Sequence, residues 1–219
     1  MQRESVGLRG DGVAVVKITC TDLPQTRRFA PATLSNSLVR GGGQPIASLV
    51  MAHLGRYRYV GPAEIRDLSP AVDVAAVDIR VTLDDWLAER DDRDFAEPFT
   101  FVIDLNGILR LAPRRSEHVA CAEGQDVLAA GEMAFARNAS GWFVREVSNQ
   151  STGYCPDLDS WPAVATALDR VGVEHPGGFT HRVTFRRCPS CAERNIVRDN
   201  NFVCALCDST LPQQWNLTD

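Results

Sequence analysis

The hydrophobic positions of this chain fall mostly into short alternating runs separated by turn signals, a pattern that predicts a strand-rich protein. Phe99 to Ile103 and Ile108 to Leu111 flank Asp104-Leu105-Asn106-Gly107. Asn-Gly supplies the positive φ angles that a tight turn needs, so this stretch reads as a β-hairpin. A second hairpin is expected from Val127 to Phe135, through Arg137-Asn138-Ala139-Ser140-Gly141, and back along Trp142 to Val147. Val72, Val74, Val77, Ile79 and Val81 nearly alternate, interrupted at Ala75 and Ala76, and predict a strand with a bulge. Thr82 then caps a short helix from Leu83 to Glu89, with Asp85 as its capping-box partner.

A longer helix is expected from Ser160 through Arg170. Pro162 lies in its first turn, Gly172 stands just beyond its end, and Trp161, Val164, Leu168 and Val171 share one face. Near the start, Val13 to Ile18 reads as a strand and Ile46 to Leu54 as a helix begun by Pro45. The Gly41-Gly42-Gly43 run between them reads as a turn, because no P-loop lysine follows to make it a phosphate cradle. Thr180 to Phe185 forms the last predicted strand before a cysteine-rich end. The whole reads as an α+β protein: a strand-rich globular domain over residues 1–179, with lobes 1–97 and 98–179 meeting near Pro98, then a zinc ribbon over 180–212 and a tail over 213–219.

Composition changes this picture little. With 219 residues, 44% of them hydrophobic, the chain can bury one substantial core. A net charge of −5 argues against a surface that tracks phosphate throughout. Lys17 is the lone lysine among 23 basic residues, a bias typical of high-GC bacterial genes, so a bacterial origin is expected. Met1 to Ser5 lacks the apolar core of a signal peptide, and no stretch approaches the roughly 20 apolar residues of a membrane span, so a cytoplasmic location and no membrane partner are expected. The acidic run from Asp84 to Glu97 reads as solvated surface.

The cysteines carry the sharpest chemistry. Cys188-Pro189-Ser190-Cys191 and Cys204-Ala205-Leu206-Cys207 are separated by twelve residues, with Asp199-Asn200-Asn201 as the turn midway. Two such pairs at this spacing present four thiolates to one Zn²⁺, and a complete tetrahedron leaves no position for water or substrate. The expected cofactor is therefore a structural zinc ion. Cys20, Cys121 and Cys155 are an odd remainder and suggest no disulfide framework. Arg182, Arg186, Arg187, Arg194 and Arg198 surround the ribbon and could contact phosphate, offset by Glu193, Asp199, Asp208 and the charge of the thiolates. His53, His175 and His181 show no ligand spacing.

His118 to Pro156 is the other unusual stretch. It runs His118-Val119-Ala120-Cys121-Ala122-Glu123-Gly124, then Val127 to Glu132 with Ala130-Gly131, then Val147-Ser148-Asn149-Gln150-Ser151-Thr152-Gly153-Tyr154-Cys155-Pro156. An imidazole can exchange protons near neutral pH and Glu117 or Glu132 could orient that of His118, which makes His118, Ser151 and Tyr154 the candidate catalytic set and Glu132 and Asn149 the candidate ligand-binding set. Ser148, Ser151 and Cys121 are the available nucleophiles, and no elbow motif marks any of them. The bland alternative makes 149–153 a hydrogen-bonded turn, with His118 on a backbone carbonyl and Tyr154 packed under Trp161.

The order His118, Gly124, Ala130-Gly131, then Ser151-x-x-Tyr154-x-Pro156 resembles a segment of the plant IQ-motif calmodulin-binding proteins and of assorted bacterial proteins. The resemblance implies a shared small β-rich unit. In that family a histidine precedes the tyrosine, whereas Gly153 stands there in this chain, and the calmodulin-binding helix has no counterpart. Neither proton transfer by that histidine nor calmodulin binding is therefore implied.

Three functions remain open on these residues. A zinc-stabilised bacterial accessory protein that binds another protein without catalysis fits most features. An enzyme using His118, Ser151 and Tyr154 on a nucleotide-like or peptide-like substrate is the second, and nucleic-acid binding through the ribbon arginines is the third.

Overall fold

A computed structural model of the chain describes residues 55–68 and 73–217, all within one compact unit. The expected strand at 13–18, the glycine turn at 41–43, the helix at 46–54, Cys20, His53 and Val72 lie outside the described residues. The described chain is α+β, as the alternating runs imply. Helix α1 (Ala63–Leu68) comes first, followed by β1 (Ala75–Val77), α2 (Arg80–Ala88), β2 (Phe99–Ile103), β3 (Leu109–Ala112) and α3 (His118–Cys121). Then come β4 (Ala129–Asn138), β5 (Gly141–Ser148), α4 (Trp161–Val171), β6 (Thr184–Arg187) and β7 (Arg194–Val197). The first five strands form one antiparallel sheet in the order β1-β3-β2-β4-β5, and β6 with β7 forms a separate hairpin.

Strand β2 shows why the sheet sits in the middle of the molecule. All five of its residues are buried, and they alternate between two apolar layers. Phe99, Phe101 and Ile103 join Leu83, Trp86 and Leu87 of α2 and Val164, Leu168 and Val171 of α4 in the larger core. Val102 faces the opposite way, into a smaller core with Val119 and Cys121 of α3, Tyr57, Tyr59 and Tyr154. Thr100, on that second side, donates to Ser116 O at 3.0 Å, so its buried hydroxyl is satisfied. A fully buried Phe, Leu or Ile contributes on the order of 2 kcal/mol, so covering both faces supplies most of the fold's driving force.

The first hairpin follows the Asn-Gly signal. Asp104 accepts from the N–H groups of Asn106 and Ile108, and Gly107 takes a φ of 73°. Helix α4 also ends as expected, with Gly172 at φ 75° donating to Leu168 O and Asp169 O. Its start differs in detail: Ser160 makes no side-chain cap, and Asp157 instead accepts from Leu158 N one turn earlier.

The stretch around 72–89 departs further from its pattern. Ile79 is the residue before α2 rather than part of a strand, Thr82 lies inside the helix, and Ile79 and Val81 are 55% and 63% exposed. Their alternation therefore does not record burial. Ala75 and Ala76 pair in regular register with Leu111 and Arg110, while the bulge falls between Ala134 and Phe135. Strand β1 precedes Pro98 and pairs with β3 beyond it, so the sheet spans that position. The predicted strand from 180 begins at Thr184, because Thr180 and His181 instead donate to Val147 O beside β5.

Trp215 is held on the smaller core and Leu217 on a third, minor cluster. Trp215 packs edge-on to Tyr57 at 5.3 Å and donates from Nε1 to Cys155 O, and Leu217 is buried beside Cys155 and Phe185. Arg186 donates to the carbonyls of Pro212 and Gln213, and Asn216 brackets Arg187 with two main-chain bonds.

Gly131 tests how tightly β4 and β5 are drawn together. A Cβ built there would lie 2.0 Å from Ser148 O, whereas one at Gly177 meets nothing within 4 Å. Gly131→Ala is expected to destabilise the protein by about 3 kcal/mol or more and Gly177→Ala by less than about 0.5 kcal/mol, as read by urea unfolding. Equal effects would contradict the packing described.

Candidate metal centre

The four ribbon cysteines come together, their sulfurs all within 4.8 Å of one another. Cys188 and Cys207 sulfurs are 3.5 Å apart, and Cys191 and Cys204 sulfurs 3.6 Å. A tetrahedron of thiolates around zinc has edges of about 3.8 Å, set by Zn–S bonds of about 2.3 Å. A disulfide would require about 2 Å. The donor set and its spacing therefore fit a four-coordinate metal ion.

Local backbone geometry explains the convergence. Cys188 N donates to Glu193 O and Ala192 N donates back to Cys188 O. Cys204 N donates to Ser209 O and Asp208 N to Cys204 O, the same two bonds sixteen residues later. Ala192 and Asp208, each one residue past a second cysteine, both adopt the left-handed region, at φ 62° and 58°. The chain thus builds one knuckle twice. The reversal between them is the expected turn: Asp199 and Asn200 have φ of 50° and 58°, and Asn201 N donates to Arg198 O.

Donors surround the sulfurs. Leu206 N approaches Cys204 Sγ at 3.5 Å, and the Ser209 hydroxyl lies 3.4 Å from Cys207 Sγ. The Leu206 N–H holds the Cys204 thiol down at about 6, and Ser209 lowers Cys207 likewise. Although the Glu193 N–H favours the thiolate of Cys191, desolvation and the neighbouring thiols push that group up to about 12. Four negative sulfurs at these distances repel one another, so full ionisation requires a cation at their centre. Cys188 and Cys204 are buried and Cys191 and Cys207 exposed.

Two of the five ribbon arginines spend their guanidinium groups on main-chain carbonyls. Arg186 is buried and spends its guanidinium on Phe185, Pro212 and Gln213 carbonyls, while Arg194 donates to Thr152 O at 2.7 Å. Arg182 and Arg198 retain exposed surface. Asn195 is a site residue that spacing did not reveal. It is 6% exposed and touches both knuckles, donating to Glu193 O and accepting from Ala205 N.

The polar residues of 118–156 point mostly at the main chain. His118 opens α3, and its Nε2 lies 2.9 Å from Gly131 O, an arrangement in which the ring nitrogen donates. Neither Glu117 nor Glu132 is the partner in that bond. Tyr154 is 1% exposed, sits edge-on to Tyr59 and donates from its hydroxyl to Gln125 O at 2.6 Å. Trp161 packs instead on His175 and Phe179, so Tyr154 belongs to the opposite layer of the sheet from the one expected. Ser151 is buried, its hydroxyl 3.4 Å from Tyr154 N and its carbonyl accepting from Cys155 N.

Asn149 is fully buried and uses its whole amide: Nδ2 donates to Pro156 O and Val183 O, and Oδ1 accepts from Val183 N. Glu132 is half-buried on β4 opposite Thr100 and Ser148, and burial together with Glu97 holds its carboxyl above the usual range. Burial pushes Cys121 up to about 12 and Cys155 up to about 11, so both remain thiols at neutral pH. Among the described residues no helix is long and apolar enough to cross a membrane.

The buried bond of His118 has a pH signature. Its residue keeps some exposed surface, but the ring is desolvated enough to hold its pKa down at about 4, against 6.5 ordinarily, despite the Gly131 carbonyl. As pH falls, the unfolded chain takes up this proton first. Stability from this group is therefore complete above about 6.5 and lost progressively down to about 4, by about 3 kcal/mol at most. Urea unfolding from pH 7 to 4 should show a smaller loss in His118→Gln than in the wild type. Parallel pH profiles would refute the assignment.

Comparison with known proteins returns no matching family model, no matching curated protein and no matching solved structure. The resemblance of residues 118–156 to the IQ-motif calmodulin-binding proteins accordingly finds no support in these comparisons.

Proposed function

We propose that this chain is a zinc-stabilised accessory protein of the bacterial cytoplasm that acts by binding another protein and catalyses no reaction of its own. The observation that carries the reading is the four-sulfur cluster itself. Four thiolates complete a tetrahedral shell, and a metal so enclosed has no open position at which to activate water or substrate. Zinc suits the site because soft thiolate ligands in tetrahedral array favour it, and because it stays divalent in a reducing compartment. The free cysteines at 121 and 155, neither in a disulfide, agree with such a compartment.

The residues that would form a catalytic set support the same reading through their partners. His118 and Tyr154 direct their polar atoms at main-chain carbonyls, and Ser151 faces the N–H of Tyr154. These bonds meet the desolvation cost of each group, as expected of residues that hold a fold. The engagement of Arg186 and Arg194 with carbonyls leaves the ribbon a weaker phosphate surface than its composition suggests.

Protein purified without added metal is expected to contain about one zinc per chain, and a strong chelator is expected to lower its melting temperature by about 10 °C. Elemental analysis and a thermal melt check both. Absence of stoichiometric zinc would remove the metal reading. Substrate turnover that disappears in His118→Ala, with the fold retained, would replace the accessory role with an enzymatic one.

A further inference from the structure

The two knuckles are copies of one another in their backbone bonds, but they are joined by a side chain that has no copy. Asn195 lies on β7 opposite Arg186, seven residues beyond Cys188. Sixteen residues on, at the equivalent place after the second knuckle, stands Leu211. The buried Asn195 amide has one acceptor and two N–H groups, and all are used. Its Oδ1 accepts from Ala205 N in the second knuckle at 2.9 Å. One Nδ2 hydrogen goes to Glu193 O, which closes the first knuckle, at 2.9 Å. The other is directed at Cys204 Sγ, at 3.6 Å. The orientation of the amide is fixed by its neighbours, since an N–H at Ala205 and a carbonyl at Glu193 admit only one way round.

We propose that Asn195 is the positioning residue of the metal centre. It holds the two knuckles at one separation and supplies a donor to the Cys204 thiolate, and so sets how tightly the four sulfurs grip their ion. The inference rests on the reading of this cluster as a metal site. Each Cys-x-x-Cys positions only its own two sulfurs. Affinity then depends on what fixes one pair relative to the other before the ion arrives. A buried amide bonded to both knuckles does this, and its N–H directed at sulfur spreads negative charge that the ion alone would otherwise have to balance. Partners of this kind, bonded to ligands rather than to the metal, typically change metal affinity by about 10- to 100-fold.

The test compares Asn195→Asp with Asn216→Asp. The first substitution keeps an acceptor for Ala205 N but sets a carboxylate against Cys204 in place of the donor. Asn216 also clamps the ribbon, through two bonds to Arg187, yet the bonds described for it reach no sulfur. Co²⁺ is titrated into each metal-stripped protein, with Zn²⁺ then competed against a chromophoric chelator. Asn195→Asp should bind both ions about 10- to 100-fold more weakly and shift the thiolate-to-cobalt absorption band, while Asn216→Asp keeps the band and binds within about threefold of wild type. Asn195→Ser, whose shorter hydroxyl cannot span the knuckles, should weaken binding in the same way if the aspartate variant does not fold. Wild-type affinity and spectrum in the Asn195 variants would overturn the proposal, as would equal losses in Asn216→Asp. Failure of the wild-type protein itself to bind Co²⁺ or Zn²⁺ would overturn the metal reading beneath it.

Discussion

Four thiolates within 4.8 Å of one another would be stable only around a cation, and the geometry of residues 188–209 is built to bring the four sulfurs that close. The β6–β7 hairpin is short, with only four residues per strand, and a pair of strands that size is marginal in water. Its apolar side chains are divided: Phe185 and Ile196 pack with Cys155 and Leu217, while Val197 joins Cys188, Cys204, Leu211 and Phe202. A metal held by the four sulfurs would supply a cross-link to such a hairpin. The hairpin in turn fixes the end of the chain, because Arg186 and Asn216 fasten residues 212–216 to β6. Trp215 is thereby delivered to Tyr57 and to the carbonyl of Cys155.

That delivery matters because the sheet has two apolar faces, and among the described residues only one of them is covered by substantial helices. Helices α2 and α4 close the larger core, where Trp86, Phe95, Phe99, Phe135 and Trp142 make a run of aromatic contacts. The other face is covered by pieces: Tyr57 and Tyr59 from before the sheet, the four-residue helix α3, the turn carrying Tyr154, and Trp215 from the end. No single piece is large enough to hold itself in place. Main-chain bonds tie them together, Tyr57 to Val127 in both directions and Val60 N to Gly153 O, with Tyr59 stacked so closely over Gly153 that a Cβ there would lie 2.7 Å from its ring. Asn149 and Arg194 then join this patchwork to the ribbon through Val183 and Thr152.

Features set by a few neighbouring residues were legible in the sequence. Asn106-Gly107, Gly172 and the two Cys-x-x-Cys pairs each impose a backbone geometry or a ligand count by themselves, and each has the local structure its residue types imply. Features decided across the sheet were not legible. The apolar alternation of Val77, Ile79 and Val81 looks like a strand, but only Val77 is buried, because the chain turns into α2 at Arg80. Helix α3 is a single turn, too short for any periodicity to declare it. Sequence proximity puts Tyr154 in the layer of Trp161, while the sheet that divides the two cores places it on the other side. Asn195 carried no signal at all, since an asparagine in a ribbon reads as one more turn-former until Glu193 and Ala205 are seen beside it.

The polar cluster of 118–156 shows why a site is harder to read from sequence than a fold. Polar side chains in an apolar setting signal that a desolvation cost is being met, but the sequence does not say by what. A substrate and a backbone carbonyl serve equally well. In this chain the partners of His118, Asn149, Ser151 and Tyr154 lie at Gly131, Val183, Tyr154 N and Gln125, up to 34 residues away. Most of those bonds fasten one covering piece of the second face to another element. Asn149 holds the end of β5 to the chain entering the ribbon, and Tyr154 holds its turn to the end of the loop after α3. The same side chains that suggest chemistry when read in order also tie together, in three dimensions, the pieces of a layer that carries no long helix among the described residues.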